Sequence, residues 1–517
     1  MKPLAQSGQS GAIPRRPLKP AALLLAGILL LATILRLFFL GEKSFVFDEG
    51  FSVALARLDG PAFWHLLSHR EANASLFFCL LRLWLRLGDS ESVIRSLSVI
   101  PAVATVPVLY SLGARLFGTR VGLISALLLA LNAFHIRYSQ EARGYSLLAF
   151  LVTLSSYFFL KSIEEPFKKE NWAGFILSSV LSLYSHFFAA FVLAAHWVSL
   201  ISLPRQQVPW RRLLASTALI ALLALPLALF VLTRDVGQIA WISRPGLRNV
   251  ARSISALAGG DGDLLLAACL VFCLMALVAA ERLWLRSGVV FEAWHFEFVI
   301  TWLFVPIILA LGISMAKPVF LDRYLIVCLP PFVLLTALGI SQLQRRWALG
   351  IALGALSILL LRGDYFNYKR VGRYERFDVE DWRASTRFIL SRTQPGDALL
   401  FHRAYGVLPF EYYWGRLRGF ANAATVVLRP GASLLSGVDI DPAPDETALE
   451  SLPAHYHRVW LVLYPDNDAA ARSPIRLSLA AHFRLVDDRR YSGVRVLLYS
   501  EARSNRGSRS VPLGFVQ

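Results

Sequence analysis

The sequence predicts an α-helical protein that crosses a membrane many times and carries a small α/β domain at its carboxy-terminal end. Three observations predict this. Hydrophobic residues make up 56% of the 517-residue chain, above the ~45–50% usual for soluble proteins, and the mean hydropathy is +0.52. The excess is gathered in blocks such as 213–232, which holds no charged residue and is long enough to cross ~30 Å of hydrocarbon as a helix. Beyond about residue 362 the character changes to charged segments that read as alternating helix and strand.

Apolar blocks fall at about 21–40, 91–114, 121–137, 144–162, 171–185, 187–203, 212–232, 262–281, 296–315, 324–343 and 347–361, which gives eleven spans. A cleavable signal peptide would account for the first block but not for those that follow, so 21–40 reads as a retained first helix. Taking alternate connections as one side collects Lys2, Arg15, Arg16, Lys19, Arg115, Arg120, Lys161, Lys168, Lys169, Arg205, Arg211, Arg212, Arg282, Arg286, Arg345 and Arg346. By the positive-inside rule that side is the cytoplasm. The same charges favour a hairpin at 171–203 with Ser185 and His186 at its outer tip. An odd number of spans leaves the amino terminus inside and the tail outside, as in a multi-pass protein of the cell inner (plasma) membrane.

This division gives a polar, disordered cytoplasmic segment 1–20, a transmembrane domain 21–361 with its first outer loop at 41–90, and an extracytoplasmic α/β domain 362–517. In the last, 379–393 reads as a helix, Pro395-Gly396-Asp397 as a turn, and 398–402, 458–464 and 493–499 as strands. The net charge of +18 would suit nucleic acid, but the basic residues lie between hydrophobic blocks and not on one soluble face. The bilayer accounts for them. Cys79, Cys269, Cys273 and Cys328 all lie in apolar stretches, where neither a disulfide framework nor a zinc site would be built.

Directly after the first span come Asp48 and Glu49, adjacent carboxylates at the outer interface. Transfer of a sugar to a hydroxyl needs a carboxylate that accepts the acceptor's proton or stabilises positive charge at the anomeric carbon, optionally with a divalent metal. A solvated loop acid explains the dipeptide equally well when it is taken alone. Glu71, later in the same loop, supplies a second acid or a metal ligand. The apolar run 76–87 that follows is too short and Arg-interrupted to span, and reads as a helix lying in the interface. His186, beside Tyr184 at the hairpin tip, is a hydrogen-bond donor or metal ligand, although a lone histidine is more often structural.

Between spans three and four, Arg137, Tyr138, Gln140, Glu141, Arg143 and Tyr145 fall within nine residues. Such a group at a membrane boundary is costly unless its members pair or line a polar cavity. Arginine suits phosphate because its fork donates two parallel hydrogen bonds. Snorkelling with an aromatic belt would account for Arg137 and Tyr138 but less naturally for Glu141 with Arg143. The outer loop 233–261 carries Arg234, Arg244, Arg248 and Arg252, and Lys317 and Arg323 stand just before span ten. An anionic head group on the outer side would give these cations a partner.

Taken in order, these motifs are more specific than any one of them: Phe47-Asp48-Glu49-Gly50, Val93-Ile94-Arg95-Ser96-Leu97, Arg115-Leu116-Phe117-Gly118, Phe134 to Arg143, Tyr184-Ser185-His186-Phe187, and Arg323-Tyr324-Leu325 before Pro330-Pro331. The chain resembles the bacterial branch of the protein-mannosyltransferase-like, family 39 glycosyltransferases, which includes lipid A aminoarabinose and galacturonic acid transferases. The similarity is strong over about 40–200, weaker over 200–345, and general in style for the tail. The resemblance implies a GT-C fold, a sugar donor on a polyprenyl phosphate, and an inverting reaction in which Asp48, with Glu49 adjacent, is the catalytic carboxylate. Glu71 matches the family's second first-loop acid, but Ala74-Ser75-Leu76-Phe77-Phe78 stands where the family carries prolines and tyrosines.

The expected function is therefore transfer of a sugar from a polyprenyl-phosphate donor to a lipid, glycan or protein acceptor at the outer membrane face. Arg143, Arg234, Lys317 and Arg323 would hold the donor phosphate, and Tyr138, Gln140, Glu141, Tyr145 and His186 would line the pocket. A polytopic transporter or lipid flippase is the alternative; the inverted repeats it would show are not evident. A lipid-pyrophosphate ligase or polymerase would be expected to carry its largest outer loop between late spans.

Overall fold

The structure, a computed structural model, describes residues 20–233, 242–259, 262–287, 290–369, 380–403, 406–417, 426–428, 452, 455–465, 470 and 474–501. Arg234, the expected helix's first residue at 379, and the expected disordered start of the chain up to residue 19 lie outside the described residues. Helix α1 (Pro20–Leu37) leads into a first loop built from α2 (Phe47–Arg57), α3 (Gly60–His69) and α4 (Ser75–Trp84). The bundle continues with α5 (Glu91–Phe117), α6 (Thr119–Ala130), α7 (Ala133–Ser139), α8 (Tyr145–Glu164), α9 (Lys169–Ser185) and α10 (Ala189–Ser199). It is completed by α11 (Trp210–Leu223), α12 (Leu225–Thr233), α13 (Leu247–Leu257), α14 (Asp263–Ser287), α15 (Val290–Ala316), α16 (Leu329–Ser341) and α17 (Arg346–Lys369).

Each of the eleven apolar blocks falls on a helix. Among the described residues seven helices are long and apolar enough to cross a membrane, or nine when the bent pairs α6–α7 and α11–α12 each count as one span. The remaining two blocks are α9 and α10, with 17 and 11 residues. The 59° bend between α6 and α7 turns residues 133–139 away from the axis of α6. Asn132 caps the new helix, its Oδ1 accepting from His135 N at 3.0 Å.

Small residues let the helices close up, as is usual where lipid supplies no hydrophobic drive for association. A Cβ on Gly122 of α6 would lie 2.6 Å from the Tyr110 carbonyl of α5, so that crossing requires glycine. Hydroxyls inside α5 bond back to the carbonyl one turn earlier, as Ser and Thr do within a helix: Thr105 Oγ1 donates to Pro101 O at 2.7 Å and Ser111 Oγ to Pro107 O at 2.8 Å. Arg36, fully buried, closes α1 onto the α6–α7 bend. Its guanidinium donates to the carbonyls of Ala32, Ala130 and Leu129 at 3.0 Å each and meets His135 Nδ1 at 2.7 Å. At the far end of the bundle Arg115 is paired with both Glu164 and Glu165, and His295 Nε2 meets Glu164 at 2.7 Å. These contacts join α5, α8 and α15.

The carboxy-terminal part is an α/β domain with α18 (Trp382–Arg392), β1 (Ala398–Phe401), α19 (Val407–Leu417), β2 (Val426–Leu428), β3 (Arg458–Leu463), α20 (Pro474–His482), β4 (Phe483–Tyr491) and β5 (Val494–Glu501). The five strands lie in the order β2-β1-β3-β5-β4. β1 runs parallel to β2 and β3, and β5 runs antiparallel to β3 and β4. Strands β1, β3 and β5 are the three read from the sequence. Gly396, at φ 85°, makes the turn that ends the α18–β1 connection, a conformation favouring glycine.

This domain does not stand apart from the first loop. Phe45, Val53, Phe63, Phe77 and Phe78 from the loop form one core with Trp382, Phe401, Phe410, Tyr413 and Trp460 from the domain. A Cβ on Gly50 would lie 2.8 Å from Pro409 N, so α2 and α19 meet almost backbone to backbone.

Candidate active site

The sequence of α2 sets its polarity: Asp48 and Glu49 sit in its first turn, where the positive end of the helix favours anions. The two carboxylates have different fates. Glu49 is 1% exposed and accepts from Arg95 Nε at 2.8 Å and Nη2 at 2.7 Å, from Ala142 N at 2.9 Å and from Val46 N at 3.2 Å. Arg95 spends its remaining donors on the carbonyls of Leu40, Lys43 and Ser44. Four donors converge on its two oxygens, so Glu49 fastens the loop to α5 and to the α7–α8 connection.

Asp48 faces the other way, with 32% of its side chain exposed, and Oδ2 accepts from Arg323 Nη1 at 3.0 Å. Arg323 belongs to the 3-10 turn Asp322–Cys328 that opens the span of α16. Burial raises the Asp48 carboxyl, but the charges of Arg143 and Arg323 outweigh it and hold the group below its usual range. Asp48 is therefore a carboxylate at neutral pH.

Around it the α7–α8 connection, the Arg323 turn and the α9–α10 turn converge. Arg143 lies over the Tyr145 ring at 5.8 Å and reaches Ser52 Oγ at 3.5 Å. Arg323 lies over Tyr145 at 5.9 Å and Tyr324 at 5.7 Å. Tyr138 packs edge-on against Tyr145 at 5.2 Å, and His186 sits 4.5 Å from Tyr324 and 6.4 Å from Tyr145, centroid to centroid. The His186 imidazole is pushed down to about 3, first by burial and then by Arg143 and Arg323, so it is neutral. Its Nδ1 accepts from Phe188 N at 3.2 Å, which puts the proton on Nε2. That buried N–H has no partner among the described residues, an unsatisfied donor of the kind a bound molecule completes.

Glu71 lies within electrostatic reach of Asp48 and Arg143. Burial, with a smaller contribution from Asp48, lifts it to about 7 against the pull of Arg143 and Arg70. The neighbouring Asn73 is a structural residue, its Oδ1 accepting from Phe187 N at 2.9 Å, which ties the first loop to the α9–α10 turn. Glu141 is raised by burial and meets Arg137 at 3.4 Å.

Two other expected site residues make no hydrogen bond or ion pair with Asp48, Arg143 or Arg323 among the described residues. Gln140 is buried and donates to the carbonyls of Arg36 and Phe38 at 3.1 and 2.7 Å, so it anchors the end of α1. Lys317 is exposed just beyond α15 and makes no ion pair among the described residues. Among the described residues no three His, Cys, Asp or Glu side chains gather at metal-binding spacing. The acids of the site meet arginines instead. These residues do not fit a divalent metal centre.

Sequence reasoning missed the fastening residues. Arg95 was visible only as part of a motif, and Arg36 as an arginine at the end of an apolar run, a position that ordinarily means snorkelling.

Comparison with known proteins bears on the fold. The dolichyl-phosphate-mannose-protein mannosyltransferase family profile matches residues 73–233. No curated protein matches the chain in sequence. Among solved structures, ArnT from Cupriavidus metallidurans in the apo state is 12% identical with a TM-score of 0.59, covering 92% of this chain and 97% of that one. The same protein bound to undecaprenyl phosphate is 13% identical with a TM-score of 0.59, covering 94% and 99%. The oligosaccharyltransferase AglB from Archaeoglobus fulgidus, in complex with an inhibitory peptide and a dolichol-phosphate, is 11% identical with a TM-score of 0.50, covering 95% and 75%. The fold is the GT-C fold, and the resemblance to the protein-mannosyltransferase-like group read from the sequence is borne out.

Proposed function

We propose that this chain is a membrane glycosyltransferase that takes a sugar from a polyprenyl-phosphate donor and places it on a hydroxyl of a lipid, glycan or protein acceptor at the outer face of the membrane, with inversion. The observation that carries the reading is Asp48: an ionised, partly exposed carboxylate set against Arg323, with Arg143 beside it, at one end of a membrane bundle. A polyprenyl phosphate stays in the bilayer, so its transferase needs cations for the phosphate and an acid for the acceptor at the membrane surface. The family match over 73–233 and the likeness to a structure that holds undecaprenyl phosphate support the donor class.

In this reading Asp48 takes the proton of the acceptor hydroxyl as its oxygen attacks the anomeric carbon. The new C–O bond forms as the bond from the anomeric carbon to the phosphate oxygen breaks, and one displacement inverts the centre. Polyprenyl phosphate departs with the bonding pair, stabilised by Arg143 and Arg323, whose fixed charges need no rearrangement as the leaving group gains charge. Lys317, exposed just beyond α15, and Arg234, which lies outside the described residues, are further candidates for the same phosphate. The Nε2–H of His186 and the rings of Tyr145 and Tyr138 provide a donor and an apolar wall for the sugar. Glu71 contributes a second acid beside Asp48. The positive-inside pattern supports an outer location for the site and a cytoplasmic amino terminus.

The test is sugar transfer by the purified protein in lipid, given a panel of radiolabelled polyprenyl-phosphate sugars and crude membrane acceptors. Transfer from one carrier supports the reading. Absence of transfer from every carrier, with lipid movement across the bilayer instead, would favour the transporter.

A further inference from the structure

We infer that Glu380 of the carboxy-terminal domain is a positioning residue for Asp48, holding the first turn of α2 by its backbone so that the domain completes the active site; this rests on the function proposed above.

The contact is made at the residue next to Asp48. Glu380 Oε2 accepts from Phe47 N at 2.9 Å and from Trp382 Nε1 at 2.7 Å, and Oε1 accepts from the Tyr464 hydroxyl. Phe47 opens α2, and its N–H is one of the amides that a helix start leaves without an internal partner. Here a carboxylate from 333 residues away supplies the partner. The carboxylate is itself pinned from behind. Trp382 is fully buried at the start of α18, and Tyr464 follows β3 directly. The orientation of Glu380 is thus set by the domain's core.

Neighbouring contacts run in the same direction. Tyr413 Oη accepts from Phe45 N at 2.8 Å, and Arg383 donates to the carbonyls of Gly41, Glu42 and Lys43 while pairing with Glu91 at 2.8 Å. Arg95 holds Leu40, Lys43, Ser44 and Glu49 from the bundle side. The segment 40–50 is therefore clamped between bundle and domain, and Glu380 is the domain's grip nearest the reacting carboxylate. A displacement of about 1 Å at a catalytic group costs on the order of a hundredfold in rate, so a backbone hydrogen bond one residue away bears directly on turnover.

The experiment compares wild type, Glu380→Gln and Glu380→Ala in nanodiscs. Hydrogen–deuterium exchange over 44–52 reads the clamp without any substrate, and kcat and KM are measured for the polyprenyl-phosphate sugar found active in the panel above. The glutamine keeps an oxygen for Phe47 and Trp382 and can donate its amide to Tyr464. It is expected to stay within about threefold of wild type in kcat, while alanine loses about tenfold or more with KM changed by less than about twofold. Faster exchange over 44–52 is expected in the alanine variant alone. Unchanged exchange and kcat in Glu380→Ala would overturn the inference, as would glutamine and alanine being equally damaging. Should the alanine variant not fold, Tyr464→Phe removes the partner on the far oxygen and is expected to loosen 44–52 and lower kcat; no change in either would also overturn it. If the wild type transfers no sugar, the proposed function fails while the exchange data still decide whether Glu380 holds α2.

Discussion

Arg95 and Glu49, 46 residues apart, meet through two hydrogen bonds of 2.8 and 2.7 Å with both side chains 2% exposed. Glu49 is the immediate neighbour of Asp48, so the pair fixes the backbone that carries the proposed catalytic acid. A buried pair of this kind costs little as long as both partners remain, but removing one leaves an uncompensated charge. Arg95→Met or Glu49→Gln is expected to destabilise the protein by about 3–5 kcal/mol, read as lost thermal stability in detergent. The double variant should recover part of that loss. Single variants as stable as wild type would contradict the structural role.

Glu71 predicts a pH dependence. Its carboxyl is raised from 4.5 to about 7, mainly by burial, whereas in the unfolded chain it ionises near its ordinary value. Between pH 4.5 and 7 the folded state holds a proton that the unfolded state has lost, so stability falls as pH rises through that window. Glu71→Gln should abolish this decline, gaining on the wild type from pH 5 to pH 8 in thermal unfolding. Parallel pH dependence of the two proteins would show that Glu71 ionises normally.

Arg323 bears on donor binding. With its partner Asp48 retained, Arg323→Ala is expected to weaken undecaprenyl phosphate by about tenfold or more, the loss of a charge-assisted contact to phosphate. Native mass spectrometry in the presence of that lipid measures it. Arg323→Lys should recover only part, because an ammonium lacks the planar fork. Unchanged affinity would move the phosphate away from this arginine.

Arg36 predicts a defect confined to the bundle. Its guanidinium satisfies three carbonyls and His135 at the α6–α7 bend, so Arg36→Met leaves buried acceptors bare. Each such group costs about 1–3 kcal/mol. The variant should unfold at lower temperature, and an unaltered unfolding temperature would argue that the bend holds without it.

Much of this architecture was legible in the sequence. Charge-free apolar runs fall on helices because a span must be apolar along its whole length. Asp48, Glu71, Arg143, Tyr145, His186 and Arg323 converge because the spans bring alternate connections to one end. The edge strand β4 was not legible: FRLVDDRRY is mostly exposed and charged, so its alternation carries no strand signal. Nor were the roles of Glu49 and Gln140 legible. An acid beside a reactive acid looks the same in sequence whether it faces a substrate or a buried arginine, and Arg95 and Arg36 lie 46 and 104 residues from them. The joining of the first loop to the carboxy-terminal domain is a long-range event between segments that are each locally plausible alone.

The most direct test of the account is sugar transfer from the active polyprenyl-phosphate donor by Asp48→Asn, measured beside undecaprenyl phosphate binding and thermal unfolding of the same preparation. The asparagine preserves shape but cannot take a proton, so the account predicts a folded, lipid-binding protein whose transfer falls by a factor of about a hundred or more, as loss of a general base does. Transfer that persists near the wild-type rate in a folded Asp48→Asn variant would contradict it.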